Sequence, residues 1–179
     1  GRFMTDIADD DLFNFDAETG HAPKENAEHA WHVLIVDDDQ DAHQSTCFAL
    51  ANTQILGRPL RFLHAYSASQ AVELLNEDTQ VAVILLDVVM ESEHAGLHLV
   101  KRIREEMANS ETRIILRTGQ PGYAPELEAI RDYDINDYKT KSELTRNRLY
   151  TSLTTAIRSY DQIHTINASR LGLGMVIRA

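Results

Sequence analysis

Two apolar runs in this chain end abruptly in carboxylate. Val33-Leu34-Ile35-Val36 leads into Asp37-Asp38, and about fifty residues later Ile84-Leu85-Leu86 leads into Asp87. Neither run alternates apolar with polar positions, the pattern of a strand buried on both faces. From Trp31 onward such runs alternate with stretches of helical period. Strands are predicted at 31–36, 60–66, 81–87, 112–118 and 134–140, and helices at 40–54, 68–78, 96–108 and 124–133, with a last one starting near Ser142. Ala68, Ala71, Val72 and Leu75 fall at i, i+3, i+4 and i+7, a stripe that faces a sheet. Gly96, Val100, Ile103 and Met107 lie on one side of the third helix. Strand followed by helix, five times over, predicts an α/β domain with a doubly wound, five-stranded parallel sheet and right-handed crossovers.

The last helix reads as unusually long. Leu149, Leu153, Ala156, Ile157 and Tyr160 make its inward stripe, and Ile163, Ile166 and Leu171 continue beyond with no proline to stop it. A continuous helix from Arg146 to Arg170 would reach roughly 37 Å at 1.5 Å per residue. Such a projection needs a partner helix or a following domain, and Gly172 and Gly174 mark an end or hinge. The expected organisation is an acidic leader over 1–30, a domain over 31–160, and a helical linker or the start of a further domain over 161–179. Gly1-Arg2-Phe3 ahead of Met4 reads as a tag remnant, and the leader as a disordered or loosely docked arm.

Bulk properties narrow the class. The chain has 179 residues, 43% hydrophobic and 25% charged, ordinary for a soluble globular protein. A formal net charge of -11 argues against a nucleic-acid surface, which would need basic patches. Acid is dense from Asp6 to Asp41, whereas Arg146, Arg148, Arg158, Arg170 and Arg178 make the end basic. The lone Cys47 allows no internal disulfide and no thiolate zinc cluster, and core packing accounts for it. No run is long and apolar enough for a membrane span, and no secretory signal is present, so a cytoplasmic setting is expected.

The chemistry lies at the strand ends. Open parallel sheets bind ligands at the carboxyl edge where strand order switches, so Asp37, Asp38 and Asp87 should share one acidic pocket. Carboxylates about 4 Å apart repel by roughly 4 kcal/mol at an effective dielectric near 20. A hard divalent cation such as Mg2+ would relieve that repulsion. With Thr118 after Ile114-Ile115-Leu116, and Lys141 after Asp137-Tyr138, the ordered set resembles the receiver domain of bacterial two-component response regulators over residues 32–160. Leu86-Asp87-Val88-Val89-Met90-Glu91, Arg117-Thr118-Gly119-Gln120-Pro121-Gly122 and Asp134-Ile135-Asn136-Asp137-Tyr138 resemble a narrower subgroup. In that subgroup the receiver precedes an uncharacterised domain and often an output for cyclic-di-GMP turnover.

The resemblance implies a flavodoxin-like receiver fold with strand order 2-1-3-4-5 and an extended C-terminal helix. It implies Asp87 as phosphoacceptor and Mg2+ held by Asp38, Asp87 and the backbone carbonyl of Val89, with Asp37 acting through a bound water. Lys141 would supply a cation to a phosphate oxygen, and Thr118 a hydroxyl hydrogen bond. Thr118 and Tyr138 would form the switch pair. The partners implied are a sensor histidine kinase or phosphotransfer protein and a downstream output domain, with room for a homodimer. The role is that of a signalling phosphoacceptor rather than an enzyme.

Three features depart from the family pattern. Ser142 follows Lys141 where the family usually has a proline after a cis bond; a cis bond before a non-proline residue costs about 2.5–4 kcal/mol. That leaves the placement of Lys141 open, with Lys139 as an alternative on the same strand face. Glu91 replaces the usual loop proline, and Glu91-Ser92-Glu93-His94-Ala95 reads as one residue longer than common. Gly119 leaves the pocket open beside Thr118, which would shorten the life of a phosphorylated form. Asp39 and Asp41 fit helix capping, and His43, His64, His94 and His98 lack a metal-ligand pattern, so packing or solvent accounts for them. Two other functions compete. One is a receiver-shaped interaction module that takes no phosphate. The other is a haloacid-dehalogenase-type phosphatase built on Asp37, Asp39, Thr118 and Lys141, which lacks its last acidic pair because only Glu143 and Asp161 follow.

Overall fold

The computed structural model describes residues 29–119, 127–141 and 145–178. The expectations on the acidic leader before residue 29, on the segment 120–126 and on Ser142 and Glu143 lie outside these. The elements are β1 (Trp31–Val36), α1 (Gln40–Ala49), β2 (Gln54–Ile55), β3 (Arg58–Ala65), α2 (Ala68–Glu77), β4 (Val81–Asp87), α3 (Ala95–Lys101), β5 (Arg113–Thr118), α4 (Leu127–Asp132), β6 (Asp137–Thr140) and α5 (Arg146–Arg178). They build one sheet in the order β2-β3-β1-β4-β5-β6. The five strands that read as such in the sequence are joined by four parallel pairings in the expected 2-1-3-4-5 order.

The unalternating runs are explained by cover on both faces. Leu34, Val36, Ile84, Leu86, Ile114 and Leu116 pack with Val72 and Leu75 from α2, Leu99 and Val100 from α3, and Ile103 just beyond it. Val33, Ile35, Val83, Leu85 and Ile115 pack on the opposite face with Leu149, Leu153, Ala156, Ile157 and Tyr160 from α5. A strand with helices on both sides has no polar face to display.

Three differences from the sequence reading have local causes. Helix α1 stops at Ala49, short of 54, because Asn52 turns to positive φ and Gln54–Ile55 leave to form the extra strand. That strand pairs antiparallel with β3 through a two-residue loop, Leu56-Gly57, with φ of 50° and 76°. Two central residues at positive φ define the tight hairpin turn whose twist matches its strands. β6 starts at Asp137 instead of 134, because Asp134 lies at φ 51° and the Asn136 side chain substitutes for backbone, its Oδ1 accepting from the Ile114 amide at 2.7 Å. The end of α3 widens into a π turn over Arg102–Glu106. There Arg104 donates to the carbonyls of Tyr133 (2.9 Å), Asn109 (3.0 Å), Thr112 (2.7 Å) and Asp134 (2.9 Å), tying α3 and α4 to the start of β5.

Helix α5 crosses the sheet and continues past its lower edge. The buried indole of Trp31 meets Tyr160 edge-on at 6.5 Å and donates to the Ile55 carbonyl at 2.8 Å. One turn beyond Tyr160, the Glu111 carboxylate takes two hydrogen bonds from α5, from His164 Nδ1 at 2.8 Å and Asn167 Nδ2 at 2.9 Å. Over 33 residues the helix is about 50 Å long. Among the described residues no helix is long and apolar enough to cross a membrane.

The clasp on Glu111 should set how firmly the outgoing helix is held. The hydrogen bond from His164, with those from Asn167 and nearby cations, keeps the Glu111 carboxyl below the ordinary carboxylate range. A depressed carboxylate stabilises the fold above its unfolded pKa, and that contribution is lost as pH falls through the folded value. Amide exchange along α5 beyond Tyr160, corrected for intrinsic rate, should therefore accelerate in acid. Glu111→Gln should show the faster exchange at neutral pH; unchanged protection in that variant would remove the clasp.

Candidate functional site

At the carboxyl edge of the sheet, β1 and β4 lie side by side, Val36 in register with Leu86. The next residues, Asp37 and Asp87, are therefore neighbours, both buried, at 0% and 4% exposure. Asp38 is exposed at the rim. One oxygen from each of the three carboxylates lies within 4.8 Å of the others. Asp37 Oδ1 accepts from the Asp39 amide at 2.9 Å, and Asp87 Oδ1 accepts from the Val89 amide at 3.3 Å. Val89 itself lies in the loop two residues beyond Asp87.

Lys141 reaches this group. Its Nζ is 2.9 Å from Asp37 Oδ2 and 3.4 Å from Asp87 Oδ2, and its own amide donates to the Thr118 carbonyl at 2.7 Å. Lys139, the alternative, lines a groove between β6 and α5 instead. Thr118 ends β5, fully buried, on the face shared by Leu116, and Tyr138 packs half-buried against that same core. Tyr138 is in register with Leu116, one pleat below Thr118. Among the described residues, a Cβ added at Gly119 would meet only the Lys141 side chain, at 3.9 Å.

The electrostatics follow from crowding. Burial, then the charge of Asp37, push the Asp87 carboxyl up to about 6 against the opposing pull of Lys141 and the Val89 amide. Burial disfavours the Lys141 cation, but its hydrogen bond to Asp37 and the two carboxylate charges hold it above the ordinary lysine value.

Several residues that support the site carry no obvious signal in the sequence. His43, buried in α1, approaches the Asp37 carbonyl with Nε2 at 2.8 Å and His64 with Nδ1 at 2.8 Å, and it stacks on Tyr66. An Nε2–H donating to a carbonyl leaves Nδ1 as the acceptor, so His64 donates through its own Nδ1–H. Glu91 accepts from the Ala68 amide in the first turn of α2 at 2.8 Å, tying the loop after Asp87 to a helix N-terminus that favours negative charge. Gly96 donates to the Val88 carbonyl at 3.0 Å. A Cβ there would stand 2.4 Å from the Asp87 carbonyl oxygen and 2.7 Å from Val88 Cα. Asp39, in contrast, caps α1, accepting from the Asp41 amide at 3.0 Å.

Five parallel strands covered on both faces, with an acidic trio and a bridging lysine at their carboxyl edge, define a flavodoxin-like class of fold. The chain belongs to the response regulator receiver domain family, whose sequence model matches residues 33–154. A second model, a domain of unknown function (DUF3369), matches residues 153–179, so the two matches meet inside α5. The chain is similar to the 3'3'-cGAMP-specific phosphodiesterase 2 of Vibrio cholerae, 45% identical over 154 residues. That alignment covers 86% of this chain and 30% of the relative, so the chain spans less than a third of that protein's length. The fold is similar to the receiver domain of an HD domain-containing protein from Pseudomonas fluorescens (TM-score 0.61, 23% identity, 74% of this chain and 98% of that one). It is also similar to the chemotaxis protein CheY4 of Vibrio cholerae (TM-score 0.57, 21% identity, 71% and 98%).

Gly96→Ala should disturb the site through backbone that cannot yield cheaply. Overpacking of this kind costs about 1–3 kcal/mol, to be read as a lowered urea midpoint. Asp87 gives a pH signature. A carboxyl raised in the fold contributes stability below its unfolded value that is lost as pH rises through about 6. Metal-free Asp87→Asn should therefore be more stable than wild type at pH 7, by on the order of 2 kcal/mol, with the gap closing toward pH 4. Asp37→Asn should lower the Asp87 carboxyl toward the ordinary range, as followed by carboxyl NMR.

Proposed function

We propose that Asp87 is the phosphoacceptor of this receiver, with a phosphohistidine of a sensor kinase or phosphotransfer protein as donor. A carboxylate oxygen of Asp87 attacks phosphorus, the P–O bond forms as the P–N bond breaks, and the departing imidazole nitrogen keeps the electron pair. The reading rests chiefly on Lys141, whose ammonium bridges the two buried carboxylates and stands ready for a phosphoryl oxygen. Thr118, buried at the end of β5, would donate its hydroxyl to another oxygen, and Tyr138 would respond from the same face.

The donor set fits a hard divalent cation: three carboxylates with oxygens within 4.8 Å, one of them, Asp87, with its pKa pushed up by burial and then by the charge of Asp37. Asp37, Asp38, Asp87 and the carbonyl of Val89 would hold Mg2+. When bound, the ion would offset charge on the phosphoryl oxygens. Asp37 is oriented for this by the Asp39 amide and by His43 behind its carbonyl.

We further propose that the receiver controls an attached output, and that α5 carries the change to it, with the domain body ending near Tyr160 and a linker over 161–179. The similarity to a cyclic-dinucleotide phosphodiesterase supports an output of that class. Catalysis would then belong to the output, and a homodimer through α5 would fit the same scheme.

Beryllofluoride, a phosphoryl mimic, gives the test. Calorimetry should show Mg2+-dependent binding that Asp87→Asn abolishes and Lys141→Ala weakens by tenfold or more. Absence of binding to the wild-type chain would instead favour a receiver-shaped interaction module that takes no phosphate.

A further inference from the structure

Arg117 breaks the apolar run of β5 directly before Thr118, and the phosphoacceptor reading gives it no task. In the sheet register it pairs with Asp87 on one side and with Lys139 on the other. Residues in register on neighbouring parallel strands turn their side chains to the same face, and the pleat puts Arg117 on the face of Ile115, under α1 and α5. Asp37, Asp87, Arg117 and Lys139 thus form one row across four strands, two acids followed by two bases.

The guanidinium is deeply enclosed, at 5% exposure. Nη1 donates to the Thr46 hydroxyl at 2.9 Å, and that hydroxyl donates onward to the Ala42 carbonyl at 2.7 Å, which fixes the fork against α1. Nε and Nη2 are buried with no hydrogen-bond partner among the described residues. Enclosing a charge this way is costly unless opposite charge stands close. The charges that offset its burial are those of Asp37 and Asp87.

We propose that Arg117 is a second fixed cation of the pocket, a positioning residue that opposes a divalent cation in the resting state and favours the added anion once Asp87 is modified. This rests on the reading of Asp87 as phosphoacceptor. The charges make the point. Three carboxylates against Lys141 alone leave two negative charges, which one divalent cation cancels. With Arg117 included, the same cation leaves the pocket one positive charge over. Conversion of the Asp87 carboxylate to an acyl phosphate dianion, or to its beryllofluoride adduct, adds one negative charge and restores neutrality. Arg117 thus moves the balanced state from metal alone to metal plus phosphoryl group, and it does so from the face opposite Thr118.

Calorimetry with Mg2+ alone, then with beryllofluoride at saturating Mg2+, separates this from a structural role. In Arg117→Gln and Arg117→Met, Mg2+ should bind about tenfold tighter and beryllofluoride about tenfold weaker, each tenfold being about 1.4 kcal/mol. Arg117→Lys should stay near wild type in both. A loosened fold weakens both ligands together, so shifts of one sign, or none, overturn the inference; the apolar methionine guards against a glutamine variant that does not fold. Wild-type protein that binds Mg2+ but not beryllofluoride would overturn the phosphoacceptor reading itself and, with it, the inference about Arg117.

Discussion

Repulsion between Asp37 and Asp87 is the constraint around which this domain is arranged. Two adjacent parallel strands each end in a buried carboxylate, and neither acid can move to water without breaking the sheet register that places it. Everything near the pair answers their charge. Lys141 leans back from beyond β6, the Val89 and Asp39 amides turn inward, and Arg117 stands in the same row on β5. A cradle of this kind carries unbalanced negative charge, which under the proposed role would make it responsive. A divalent cation or a phosphoryl group held there would change the sum of the local charges.

The support is as specific as the charges. The loop after Asp87 is held from two directions, by Glu91 at the start of α2 and by the Gly96 amide at the start of α3. Asp37 is held from behind by His43, itself wedged by His64 and Tyr66. At Glu91, where the receiver resemblance implies a proline, the loop is held by a side-chain hydrogen bond to the Ala68 amide instead.

Much of this was readable in the residues. Apolar runs without alternation announce strands covered on both faces, and acids, a threonine and a lysine at successive strand ends announce a shared edge. What stayed hidden depends on backbone or distant contacts. Leu56 at positive φ gives no warning of the β2–β3 hairpin, for which Gly57 alone is a weak sign. Asn136 shortens β6 by replacing backbone with side chain, which a propensity reading cannot see. Gly96 reads as part of a helical stripe, and only the packed distance to the Asp87 carbonyl reveals why a larger residue would not fit. Lys139 and Lys141 are indistinguishable by parity, and the chain's turn after Thr140 separates them.

Helix α5 has one further implication. The two family matches overlap within it, and it runs from Arg146 to Arg178 as one continuous helix. A helix is a phase-keeping shaft: each residue added or removed turns whatever follows by about 100° and shifts it by about 1.5 Å. Under the proposed role of α5, length changes in this segment would act as settings of a dial and not as neutral spacers. Changes of seven residues, close to two full turns, would nearly preserve the bearing of an attached domain, whereas a change of two would swing it to the far side.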